Sequence, residues 1–308
     1  MSRPRGSRGP DLLAAAVLLL GLIVAASGSA AGQNFNGGRA FEDLKRLAAF
    51  GPRPSGTKSL AEARRWIIGQ LRQAGAQVEE DRFVSSTPIG QIAMTNLVVK
   101  IPGARPDVVL VGGHYDTARF GNFAFAGAND GGSSAAVLME LARALEGRKS
   151  DLTIWLVFFD GEEATQAWSD TDSLYGSRHL VQKLAATGEL SRVQAMILVD
   201  MVGDAKLGIH REYNSTPWLT DLVFQVARGL GYSRYFLDDR RAVDDDHIPF
   251  VNAGVSAVDL IDFDYGPNNS YWHSAQDTVE HCSPASLTIV GRVVLATIAE
   301  LGNSPRPK

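Results

Sequence analysis

Apolar residues along this chain recur in two rhythms. At 41–50 and again at 59–76 they return at helical spacing, with Ala61, Ala63, Trp66, Ile67 and Leu71 on one side of the second segment. Two amphipathic helices are therefore predicted, separated by the chain-breaking run Gly51-Pro52-Arg53-Pro54-Ser55-Gly56. Candidate strands follow at 92–101, 108–113, 152–159, 195–201 and 255–261. Runs such as Trp155-Leu156-Val157-Phe158-Phe159 predict strands buried on both faces. Helical patterns at 133–145, 174–184 and 217–230 lie between the strands, and one at 286–301 closes the chain. The alternation predicts an α/β fold, a single domain with a central mixed, mostly parallel sheet flanked by helices. In such sheets ligands bind beyond the carboxyl ends of the strands.

Composition narrows the chemistry. The chain has 308 residues, 30 Lys and Arg against 34 Asp and Glu, and 45% apolar residues. It is neither collagenous nor disordered, and a net charge of −4 argues against a nucleic-acid partner. With Cys282 alone, neither a disulfide scaffold nor a cysteine-based zinc site can form. Any metal must be held by histidines and carboxylates. Residues 1–30 carry Arg3, Arg5 and Arg8, then an apolar run and small residues, the pattern of a secretory signal peptide. This predicts export to the periplasm or the medium, or membrane attachment if the segment stays on as an anchor. Residues 31–38 read as a flexible entry and 39–305 as the functional domain.

The polar residues at the predicted strand ends stand out. Strand 108–113 runs into His114-Tyr115-Asp116, and Asn129-Asp130-Gly131-Gly132 precedes the next helix. Strand 152–159 ends in Asp160-Gly161-Glu162-Glu163, the next ends at Asp200, and Tyr271-Trp272-His273-Ser274 comes near the C-terminus. Singly, each has an ordinary explanation: Asp before Gly caps turns, a Glu pair is solvated, a lone His is structural. Together they bring imidazole and carboxylate groups to one sheet edge, a set that suits a catalytic zinc with an open position. Side chains of adjacent Glu162 and Glu163 point apart, so one can bind metal while the other serves as a base.

This set is similar to the zinc aminopeptidase superfamily, over nearly all of residues 40–303. The resemblance implies Asp130, Glu163 and His273 as ligands of one zinc. It implies His114, Asp200 and a shared Asp130 for a second, with Asp116 beside them, and Glu162 as general acid/base. Two further segments resemble the animal-type glutaminyl-peptide cyclotransferases, which share that fold. One is the stretch from Phe158 through Glu163 and Trp168-Ser169 to Asp172-Ser173-Leu174-Tyr175-Gly176-Ser177-Arg178; the other is Asp245-Asp246-His247-Ile248-Pro249-Phe250.

That likeness implies cyclisation of N-terminal glutamine in peptides or proteins, with one zinc expected and a second possible. Asp200 would be tied to Asp245 by a hydrogen-bond network, both serving catalysis with Glu162. Trp168, Trp272 and Val243 would wall the pocket, with Phe263 or Tyr265 as neighbours. The chain departs from the animal pattern at Asp244 (glutamine there), Asp259 (histidine there) and a longer loop at 262–271. It also lacks the disulfide seen near the metal site of those enzymes, since Gly113 precedes His114. A two-metal aminopeptidase is the alternative, and a noncatalytic binding module on the same fold would be expected to have lost these ligands.

Overall fold

Strand Arg105–His114 (β3) shows how the sheet is built. Its Val109 and Val111 point into one core and its Val108 and Leu110 into another, so an unbroken apolar run serves both faces. The computed structural model describes residues 34–303, and the leader expected at 1–30 lies outside them. Around β3 the elements run α1 (Gly37–Ala48), α2 (Lys58–Gln73), β1 (Val78–Thr87), β2 (Gly90–Ile101), then β3 and α3 (Gly132–Leu145). There follow β4 (Leu152–Phe159), α4 (Tyr175–Thr187), β5 (Val193–Asp200), β6 (Ile209–Glu212) and α5 (Pro217–Gly229). The chain ends with β7 (Phe236–Arg241), α6 (Ile248–Asn252), β8 (Ala257–Ile261) and α7 (Pro284–Asn303).

The main sheet has the order β1-β2-β4-β3-β5-β8. Strands β4, β3, β5 and β8 are parallel, and β2 and β1 join antiparallel at one edge. The larger core holds α1, α2, α3, α5 and α7 against one face; α4 and α6 cover the other. This is the α/β architecture expected, and the five expected strands are all present. Helix α7 is long and apolar enough to cross a membrane, but two thirds of that stretch is buried against the larger core.

Four elements lie outside the expectation. Strand β1 (VEEDRFVSST) mixes charge and hydroxyls and is half exposed along its length, so it carries no apolar run. It forms because β2 offers an edge along its whole length, from Val78 opposite Val99 to Thr87 opposite Gly90. The short β6–β7 pair and the one-turn helix α6 are likewise too brief to set a periodicity. Residues 35 and 36, within the segment read as a flexible entry, make specific contacts. Phe35 is buried on Gly291 of α7, where any side chain would collide with its ring. Asn36 caps α1, and Arg39 forks onto the buried Glu140 of α3 at 2.6 and 2.7 Å.

Parallel strands end together, which is what assembles the site. His114 ends β3 opposite Phe159 of β4, and Asp200 ends β5 opposite Ile261 of β8. Gly113 lets α3 come close: a Cβ there would stand 2.8 Å from both Ser134 Cβ and Val199 O. Gly131, at φ 76°, turns the chain between Asp130 and that helix.

Candidate metal and catalytic site

Asp130 is the centre of the cluster. Its Oδ1 lies 3.1 Å from His114 Nε2 and its Oδ2 lies 3.3 Å from His273 Nε2, so one carboxylate faces two imidazoles. Glu163 Oε1 is 3.3 Å from the same His273 nitrogen, and Asp200 Oδ1 is 3.1 Å from the same His114 nitrogen. Two convergent triads result: Asp130, Glu163 and His273, and His114, Asp130 and Asp200. Every ligand inferred from the sequence lies in one of them. The donors are nitrogen and carboxylate oxygen with no thiolate, and each triad can close on one small cation, so the residues present fit zinc.

The charges support that fit. Burial favours a neutral Asp130, but the two histidines outweigh it and hold its carboxyl well below the usual range. Burial and then Asp130 push Glu163 up to about 7. Burial opposes charge on His273, yet Asp130 and Glu163 raise it to about 10. A cluster so rich in buried carboxylate draws protons onto its histidines, and a divalent cation would replace them.

Other groups fix the ligands. Asp116 sits behind His114, 3.6 Å from Nδ1, and its Oδ1 accepts the Glu162 N–H at 3.3 Å. Asp277 accepts the backbone N–H groups of Asn129 and Asp130 at 2.7 and 3.1 Å. Arg53 is fully buried and donates to the carbonyls of Tyr115, Ala126 and Gly127, closing the loop that leads to Asp130. Neither Asp277 nor Arg53 was singled out as a site residue from sequence. Arg53 stands in a Gly/Pro break that resembles a plain turn, and Asp277 had only its nearness to His273 as a signal. The backbone is strained at the ligands: His273 has φ 49°, and Met201, next to Asp200, has φ 48°.

A cavity of about 380 Å³ opens over the first triad. Glu162, Glu163, Asp130, Asp200 and His273 form its floor, and Trp168, Trp272, Val243, Phe263 and Asp245 stand around it. Trp168 and Trp272 are 44% and 38% exposed, and Trp272 stacks on the His273 ring at 4.1 Å. Of the two further aromatics considered, Phe263 meets Trp272 edge-on, whereas Tyr265 is buried and donates to Asp277. Burial pushes the Glu162 carboxyl well up; His114 opposes this, and Glu163, Asp245 and Asp246 add to it.

Asp245 is buried, and its carboxyl too is held well above the usual range, by burial and then by Asp200 and Asp246. Asp200 Oδ1 accepts Met201 N–H at 2.8 Å and Ser134 Oγ–H at 3.1 Å and lies beside His114. Asp245 Oδ1 accepts Asp246 N–H, and no donor among the described residues reaches its buried Oδ2. Asp259, where the animal enzymes carry histidine, is buried nearby with no hydrogen-bond donor to either oxygen among the described residues and the His247 ring 3.9 Å away. Asp244 stands exposed at the cavity wall.

Comparisons with known proteins agree with this geometry. The profile described as Peptidase family M28 matches residues 96–298. Over 268 residues the chain is 32% identical to a glutaminyl-peptide cyclotransferase from Boiga irregularis, covering 75% of this chain and 72% of that one. Among solved structures, an Acidobacteriales bacterium glutaminyl cyclase superposes with a TM-score of 0.83 at 41% identity, over 88% of this chain and 95% of its own. A Porphyromonas gingivalis glutaminyl cyclase gives 0.79 at 30% identity, over 87% and 99%.

Proposed function

The chain belongs to the glutaminyl-peptide cyclotransferases within Peptidase family M28, and from that premise we propose that it converts N-terminal glutamine of peptides or proteins to pyroglutamate and releases ammonia. The observation that carries this reading is the small cavity whose floor is Glu162 beside a metal-type triad and whose wall includes Asp245, with a buried carboxylate oxygen that no donor among the described residues reaches. That oxygen is suited to a nitrogen group of a bound glutamine, since a buried polar atom left unpaired is costly.

Asp130, Glu163 and His273 would hold the zinc ion, which when bound supplies Lewis-acid polarisation of the γ-carbonyl. The remaining steps are performed by the chain. The neutral α-amine attacks the carbonyl carbon of that γ-carboxamide, forming the ring C–N bond. Glu162 takes a proton from that nitrogen and delivers it to the departing amide nitrogen as its C–N bond breaks, so ammonia leaves and Glu162 ends as it began. Asp245 and Asp200 orient the two nitrogens. The wall of Trp168, Val243, Phe263 and Trp272 keeps the side chain folded back on the amine, and an intramolecular attack gains from being held near its reactive geometry.

Mass spectrometry of a glutamine-initiated peptide with the zinc-loaded protein tests this reading. Loss of one ammonia with every peptide bond intact, abolished by a chelator, is the expected result. Release of a free N-terminal residue would favour a two-metal aminopeptidase, a second reading kept alive by the convergence of His114, Asp130 and Asp200. Residues 1–30 are read as an export signal; N-terminal sequencing of the exported protein should start after that segment.

A further inference from the structure

The loop between β4 and α4, which carries Trp168, is organised around one carboxylate. Asp172 is 2% exposed and accepts five hydrogen bonds. Its Oδ1 takes Thr165 N–H, Thr165 Oγ1 and Tyr175 Oη, each at 2.8 Å; its Oδ2 takes Gln166 N–H and Ala167 N–H, each at 2.9 Å. Every donor lies between Thr165 and Tyr175, so the carboxylate shapes this loop and not the sheet. The last N–H it binds belongs to the residue before Trp168. On the other side, Asp172 N–H donates to the Ser169 carbonyl and to Ser169 Oγ, both at 3.1 Å. Trp168 is thus bracketed from both directions, and at 44% exposure packing alone does little to fix it.

The base has a separate anchor. Leu174 N–H donates to the Glu162 carbonyl at 2.8 Å and Tyr175 N–H to the Gly161 carbonyl at 2.7 Å, closing the stem of the loop at Glu162. Leu174 takes up the left-handed conformation to do so, at φ 53°. The stem and the tip are therefore held by different bonds.

We propose that Asp172 is a positioning residue for substrate binding, fixing Trp168 at the cavity mouth so that the glutamine end of the substrate meets a preformed aromatic wall. This rests on the cyclase reading. It assigns Asp172 an effect on KM that leaves kcat nearly untouched, because the Glu162 end is anchored independently.

The test compares wild type, D172N, W168A and the double variant with a glutamine-initiated peptide. Asparagine keeps the shape but turns an NH2 group toward donors that need an acceptor. D172N should raise KM roughly tenfold, the effect of losing about 1.4 kcal/mol of binding, with kcat within about twofold. W168A should raise KM comparably, and the double variant should be no worse than W168A alone, because both changes remove one wall. An unchanged KM in D172N, equal losses in KM and kcat, or effects that multiply would overturn the proposal.

If the wild type does not cyclise the peptide, the cyclase reading fails and the clamp is read without catalysis. Acrylamide quenching attributable to Trp168, taken as the difference from W168A, should steepen in D172N; no change overturns the clamp. Should D172N not fold, Y175F removes one of the five donors and should raise KM by roughly twofold to fivefold, less than D172N because four donors to the carboxylate remain. An unchanged KM in Y175F would likewise overturn it.

Discussion

The two triads share Asp130 but face different worlds. The His273 side chain is 26% exposed and stands at the cavity wall under Trp272, whereas the His114 side chain is 1% exposed and enclosed by Asp116, Asp130 and Asp200. A cation on the first triad meets the cavity, so a substrate oxygen can reach its open position. A cation on the second would sit against the buried His114 ring. Catalytic zinc requires the open position, and from the difference in exposure we propose that the His273 side is the reactive one and that His114 compensates and orients the carboxylates beneath.

The largest test of that asymmetry is His273→Ala. It should remove bound zinc and abolish activity together, read by elemental analysis of the dialysed protein and by peptide turnover. Glu162→Gln comes next. It should cost roughly 10²–10⁴ in kcat while zinc content stays at the wild-type level, because Glu162 faces the cavity and belongs to neither triad. Near-normal turnover in that variant would remove Glu162 from the proton-carrier role.

His114→Ala should be the gentler histidine change: zinc remains at about one per chain and activity falls by roughly tenfold or less, an indirect loss through Asp130 and Asp200. Loss of all zinc in His114→Ala, with zinc kept in His273→Ala, would invert the comparison. Arg53→Met strikes beneath both triads. It strips the donors from the Tyr115, Ala126 and Gly127 carbonyls, and should cost on the order of 3 kcal/mol in urea unfolding.

Much of the enclosed region was legible in the sequence because buried parallel strands announce themselves. Largely apolar runs located β2, β3, β4, β5 and β8, and the polar residues at the ends of β3, β4 and β5 marked one sheet edge. The family resemblance then assigned the triads and Glu162 from these residues together with Asp130 and His273. What escaped were groups whose work is done through backbone bonds. Arg53, Asp277 and Asp172 act on the N–H and carbonyl groups of distant or neighbouring residues, and such pairings leave no periodicity. Glu212 is similar: it ties Ser215, His247 and the N–H of Val243 together at the far wall. Asp172 and Asp245 both lie in the segments that resemble the cyclotransferases. Side-chain geometry was needed to find a five-donor hub in one and, in the other, an oxygen that no donor among the described residues reaches.

The open side differs from the enclosed one in a last respect, its dependence on a single ionised clasp. Burial disfavours the charge on Asp172, but the N–H groups of Ala167 and Thr165, with the Thr165 and Tyr175 hydroxyls, outweigh it and lower the carboxyl from the ordinary 3.8 to about 2. A group depressed on folding contributes stability that is present above its unfolded pKa and lost as pH falls through its folded one. The contribution of this clasp is therefore complete above about pH 4 and fades toward pH 2. The measurement is the difference in Tm between wild type and D172N across that range, since subtraction cancels titration elsewhere. The gap should be constant from neutral pH down to about 4 and shrink below it. A gap that stays constant to pH 2 would mean that the carboxylate charge does not hold the loop, and that the mouth of the cavity owes its shape to the stem bonds at Gly161 and Glu162.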